Sequence, residues 1–169
     1  MSKTPPLLPE ETLQRVLRVA RVDGMSVLLI AGFLALASAA AGDYMGALIG
    51  LVIAAAGAIE LHGDGLLRNG FPLGMKWLIG SQLYLMAVVL GYCAMRLTHV
   101  ALPPIPDTLK PMIEMSAQQW KMATDDYLLM VYRLSFRLLA LLTFLYQGGM
   151  AFYYFRRRAA VAQALAAAE

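Results

Sequence analysis

The chain has 169 residues, 60% of them hydrophobic and 15% charged, against roughly 25% charge in a typical soluble domain. Its formal charge of +3 sits at the ends and in the connections rather than beside stacking aromatics. That excludes a nucleic-acid-binding module, and the single cysteine, Cys93, excludes an internal disulfide.

Four apolar blocks use up nearly all the length, since a helix needs about 20 apolar residues to cross a bilayer. The expected fold is an all-α polytopic membrane protein, with four transmembrane helices in two antiparallel hairpins and short interfacial helices. Residues 1–24 read as an N-terminal leader and amphipathic helix. Pro5, Pro6 and Pro9 discourage helix before Glu10. Leu13, Val16, Leu17 and Ala20 then recur at helical spacing opposite Arg15, Arg18 and Arg21. Such a segment either lies in the headgroup layer or leads straight into the first span. Ala37-Ser38-Ala39 resembles a signal cleavage site, but the two glutamates and three prolines before the apolar run argue for retention.

The membrane domain is expected over 25–158. Its first span covers about 25–41 and turns at Gly42-Asp43 into the second, about 44–61. So short a turn makes the two spans antiparallel neighbours. Gly46, Gly50, Ala54 and Gly57 mark one face of the second span. Small residues at such spacing let backbones approach closely in lipid. Gly46, Gly50 and Gly57 are therefore expected to pack helices, within the chain or between subunits.

Glu60 continues that face. It reads as an interfacial carboxylate or as a group facing a polar bundle interior, because an unpaired charge in lipid is costly. His62 and Asp64 lack the companions of a metal site, and no metal is expected. Residues 62–74 read as a glycine-rich connection, with turn signals at Asn69-Gly70 and Pro72. The chain has no GxxxxGK[ST] phosphate loop.

The third span is about 75–96, with Lys76 and Trp77 at one boundary and Tyr92 and Arg96 at the other. Gln82 lies well inside it and is polar enough to prefer a protein-facing position. Residues 97–126 form the long connection, expected to be extracytoplasmic. Pro103, Pro104 and Pro106 stiffen its start. Leu109, Met112, Ile113 and Met115 give a modest apolar face to a surface-lying helix, with Trp120 as an interfacial anchor. The methionines fit packing better than copper binding, since they have no repeated spacing or histidine partner.

The fourth span, about 129–155, carries the most unusual pattern. Arg133 and Arg137 sit one turn apart, and Ala140, Phe144 and Gln147 continue roughly the same face. Arg133 can snorkel to the interface, but Arg137 lies a turn deeper. Gly148-Gly149 permits a bend or close packing. Arg156, Arg157 and Arg158 close the span as membrane-surface anchors, and 159–169 form a cytoplasmic tail.

The leader, the second connection and the exit carry nine lysines and arginines, and all fall on one side of four alternating spans. By the positive-inside rule both termini face the cytoplasm, and the expected location is a bacterial inner membrane. Glu60, Gln82 and Gln147 then occupy one inner layer, while Arg133 and Arg137 belong near the outer boundary. These five residues are the candidates for a polar or substrate path. No nucleophile–base pair, metal-ligand set or cofactor motif accompanies them, so no enzymatic activity and no cofactor are expected. The expected function is an oligomeric channel or transporter for a small ion or solute. The alternative is a non-catalytic structural or accessory subunit of a membrane complex. The expected partners are membrane lipids and either further copies or another membrane protein, with no nucleic acid.

Overall fold

A computed structural model describes residues 8–100 and 108–167. The expectations for the first prolines, for Pro103, Pro104 and Pro106, and for the extreme end of the tail lie outside these residues. Among the described residues the chain is helical and has no strand. Its elements are α1 (Pro9–Ala40), α2 (Tyr44–Arg68), α3 (Gly74–Thr98), α4 (Lys110–Gln119) and α5 (Thr124–Ala166). All but α4 are long and apolar enough to cross a membrane. The chain is thus an all-helical protein whose four apolar helices mark it as integral to a membrane.

Two compact units are present. The first comprises residues up to Val88 together with Leu145 onward, and the second comprises Val89–Phe144.

In the first unit, α1 is one continuous helix of 32 residues. Pro9 sits in its first turn, where the missing N–H costs nothing, and Glu10 and Glu11 follow it at the positive end of the helix dipole. The amphipathic segment over 10–21 is therefore the first three turns of the same helix that carries the first span. Its apolar stripe is covered by protein. Val16 and Ala20 share a core with Leu67, Met75, Leu78, Tyr154 and Val161.

α1 ends at a tight turn in which Gly42 adopts φ +79°. Asp43 then caps α2, its carboxylate accepting from the Gly46 N–H at 2.9 Å. Such a cap satisfies one of the four free N–H groups at a helix start.

The small-residue face of α2 meets α1. A Cβ placed on Gly57 would lie 2.6 Å from the Gly24 carbonyl oxygen, and one on Gly50 would lie 2.8 Å from the Ala35 Cβ. The contact order, 57 with 24 and 50 with 35, runs in opposite directions along the two helices. Gly46 differs in role: a Cβ there would run into the capping Asp43 carboxylate.

The segment 62–68 is helix, not connection. Gly63 and Gly74 bring α2 and α3 together, a Cβ on Gly74 falling 2.5 Å from the Gly63 carbonyl. Asp64 pairs with Arg68 one turn on at 2.9 Å. Only residues 69–73 turn the chain, with Gly70 at φ +84°.

The second unit holds the end of α3, α4 and the first half of α5. The Tyr132 hydroxyl donates to the Arg96 carbonyl at 3.3 Å, and Phe136 packs edge-to-face with Tyr92 and tilted against Tyr132. Cys93 is buried there as a free thiol. α4 begins with Pro111 in its first turn. Met112, Met115 and Trp120 are exposed on and beside it.

Candidate functional site

The polar residues of the first unit gather where α1, α2, α3 and α5 meet. Asp23, on α1 just before Gly24, is half-buried. Glu60, one turn after Gly57 on α2, is 2% exposed. The close Gly24–Gly57 approach brings the two backbones together at this level and sets Glu60 beside Asp23, since a Cβ on the adjoining Gly24 would lie 3.3 Å from the Glu60 Cβ.

Three neutral donors surround the pair. The Gln82 amide of α3 donates to Asp23 Oδ2 at 3.0 Å. The Tyr146 hydroxyl donates to Asp23 Oδ1 at 2.8 Å. Deeper in, the Tyr154 hydroxyl donates to Glu60 Oε1 at 2.7 Å. Tyr154 is fully buried, and Tyr146 is more than half exposed. The cluster therefore grades from an open side, Asp23 and Tyr146, to a closed side, Glu60 and Tyr154.

The Gln82 side chain is 1% exposed, and its Oε1 has no hydrogen-bond partner. Gln147 is also buried, and its Oε1 lacks a partner as well. Buried polar atoms in proteins are nearly always satisfied, so both oxygens mark places where a donor belongs.

Of the five polar residues singled out in the sequence, Glu60 and Gln82 lie in this cluster. Gln147 is buried on the same helix, directly after Tyr146. Arg133 and Arg137 belong to the second unit, both exposed on the surface of α5. Gly50 and Gly57 pack within the chain, as described above. Arg156, Arg157 and Arg158 stack over aromatic rings, Arg157 lying 4.5 Å from the Tyr153 centroid and Arg158 lying 4.2 Å from that of Phe155. Stacked guanidinium groups keep their N–H edges free for phosphate.

Asp23, Tyr146 and Tyr154 complete the cluster without standing out in the sequence. Asp23 follows three arginines and merges with a charged leader. The only sequence signal for it is a carboxylate next to a glycine, at the start of an apolar run. Tyr146 and Tyr154 have the ring-and-hydroxyl character of any interfacial tyrosine.

No protein-family model, curated protein or solved structure matches the chain, so its chemistry has to be read from its own residues.

Proposed function

We propose that the chain is a small integral membrane protein that moves a small ion or solute across the bilayer, as an oligomeric channel or transporter. Its working centre in this reading is the Asp23–Glu60 cluster. One observation carries the proposal: two carboxyls from different apolar helices meet inside the first unit, and the donors that reach them there are neutral side chains. Ionisable groups within membrane spans are expensive, and they belong to ion and substrate pathways or to proton relays. A purely structural interlock would be served at less cost by hydroxyls and amides alone.

The same reading sets the chain in a bacterial inner membrane with both termini in the cytoplasm. It pairs the four spans as two hairpins and lays α4 on the outer surface. Arg156, Arg157 and Arg158 then meet anionic headgroups on the inner face. Arg133 and Arg137 stand toward the outer side, where they draw anions to the surface or bind lipid phosphate.

The test is flux in liposomes of phosphatidylethanolamine and phosphatidylglycerol, with trapped indicators for protons, sodium, potassium and chloride. Wild type is expected to conduct above empty liposomes. Glu60→Gln is expected to return flux to the empty-liposome level without changing assembly. Arg137→Ala is expected to alter flux without abolishing it. Wild-type flux equal to that of empty liposomes for every ion removes the channel reading for these ions.

A second reading, an accessory subunit, is favoured by a different observation. Only 6% of the most apolar stretch of α5 is buried within the chain. Another protein could cover it as well as lipid does. Co-purification of one partner at fixed stoichiometry after mild extraction would support that reading.

A further inference from the structure

We infer that the Asp23–Glu60 pair is a binding site for one exchangeable proton, which serves as the coupling ion of the transport proposed above. The site assignment stands on the placement of the two carboxyls and their donors, and only the coupling role rests on the transport reading.

Two carboxylates are acceptors only, so two carboxyls within reach of each other form a hydrogen bond only when one carries a proton. Placed side by side in a low-dielectric interior, two such groups cannot both be ionised. The remaining groups cannot supply the missing positive charge. The side chains that hydrogen-bond to the two carboxyls are Gln82, Tyr146 and Tyr154, and none is basic. From α5 the facing groups are Tyr146 and Tyr154, with Tyr153 beside Tyr154. From α3 it is the neutral Gln82, and α1 and α2 contribute the two carboxyls themselves.

The cluster is also short of donors. Asp23 and Glu60 present four oxygens and Gln82 a fifth, while one amide and two hydroxyls donate. The shortfall is visible at the buried Gln82 Oε1, whose own amide nitrogen is bonded to Asp23. A proton bound by the pair supplies the charge and one O–H donor that the site lacks.

A divalent metal fits less well. Among the described residues no three histidine, cysteine or acidic side chains gather, whereas calcium takes about six to eight oxygen ligands and magnesium an octahedron.

The graded burial makes Asp23 the member of the pair nearer the surface of the chain. A hydronium ion reaching the half-exposed Asp23 beside Tyr146 gives up its proton to a carboxylate oxygen and leaves as water. The new O–H is then shared with Glu60. Release reverses these steps, and no electrons move.

The experiment is infrared spectroscopy of the full chain in the same lipid, following the carboxylic-acid carbonyl stretch as pH is varied. Wild type is expected to show a protonated-carboxyl band that shifts in heavy water and disappears reversibly as pH rises. Indicator titration should give one more proton per chain than the Asp23→Asn, Glu60→Gln double variant, which should lack the band.

Tyr146→Phe tests the pair without touching either carboxyl. Removing a donor to the Asp23 carboxylate makes the ionised form less favourable, so its band should persist to higher pH. A merely structural tyrosine would leave the titration unmoved. If the double variant fails to fold, the Tyr146→Phe shift decides alone. The inference is overturned by a band absent from wild type, by one surviving in the folded double variant, or by a Tyr146→Phe titration that overlays wild type. It is also overturned if sodium chloride, but not choline chloride, removes the band at constant pH. A titrating band in a protein without flux upholds the proton site and sinks the transport reading.

Discussion

Tyr154 shows how one residue joins structure to the site. Its ring fills the core beside Val16, Leu67 and Val161, while its hydroxyl reaches Glu60 at 2.7 Å. Tyr154→Phe keeps the packing and removes the hydroxyl that donates to Glu60 Oε1, leaving a buried acceptor unsatisfied. The expected loss is about 1–3 kcal/mol, read as a lower midpoint in thermal unfolding in detergent. An unchanged midpoint would mean that Glu60 finds another donor. At this scale the sequence was partly legible. Glu60, Gln82 and Gln147 stand out because each interrupts an apolar run. Asp23 does not, because Arg15, Arg18 and Arg21 precede it and its segment resembles a solvated leader. What singles it out is its distance to Gln82, 59 positions away in the chain, and helical periodicity carries no such information. The arginines are the converse case. Arg133 and Arg137 are conspicuous in sequence, yet both are exposed on the chain's own surface.

At the scale of elements, glycine decides where helices touch. Gly57→Val would push a side chain into the Gly24 carbonyl and Leu28 backbone, the former 2.6 Å from the nearest possible Cβ. Overpacking of this kind typically costs about 1–3 kcal/mol. It would also separate α1 from α2 and draw Asp23 away from Glu60. The expected result is a lower unfolding midpoint together with loss of the shared-proton band. Gly32→Ala, where a Cβ meets nothing, should leave both unchanged. The four long apolar helices were legible because length and hydropathy are local properties of a chain. The extent of α2 was not. His62-Gly63-Asp64-Gly65 reads as a loop, since glycine is the default turn residue and costs about 1 kcal/mol in a helix. Here Gly63 sits against the Gly74 carbonyl, and the close approach of α3 offsets that cost. Which use a glycine serves depends on a partner helix that its neighbours in sequence do not reveal. The same applies to 10–21, whose apolar stripe suits a membrane surface or a protein core equally well. The contacts with Leu67 and Tyr154 show the second.

For the whole molecule, the positive-inside argument makes a prediction that needs no knowledge of substrate. With Cys93 replaced by serine, Ala41→Cys in the α1–α2 turn should react with a membrane-impermeant maleimide in intact spheroplasts. Ala167→Cys should react only after permeabilisation. The reverse pattern would invert the topology and, with it, the side from which Asp23 is reached. The division into two units, each with its own share of α3 and α5, gives a further handle. The chain has two tryptophans, Trp77 in the first unit and Trp120 in the second. Trp77 and His62 meet in a T-shaped contact with 5.2 Å between ring centroids. Contact with imidazole quenches indole emission. In a Trp120→Phe background the protein therefore has its own fluorophore at the α2–α3 turn, dim while the helices hold together there and brighter when they part.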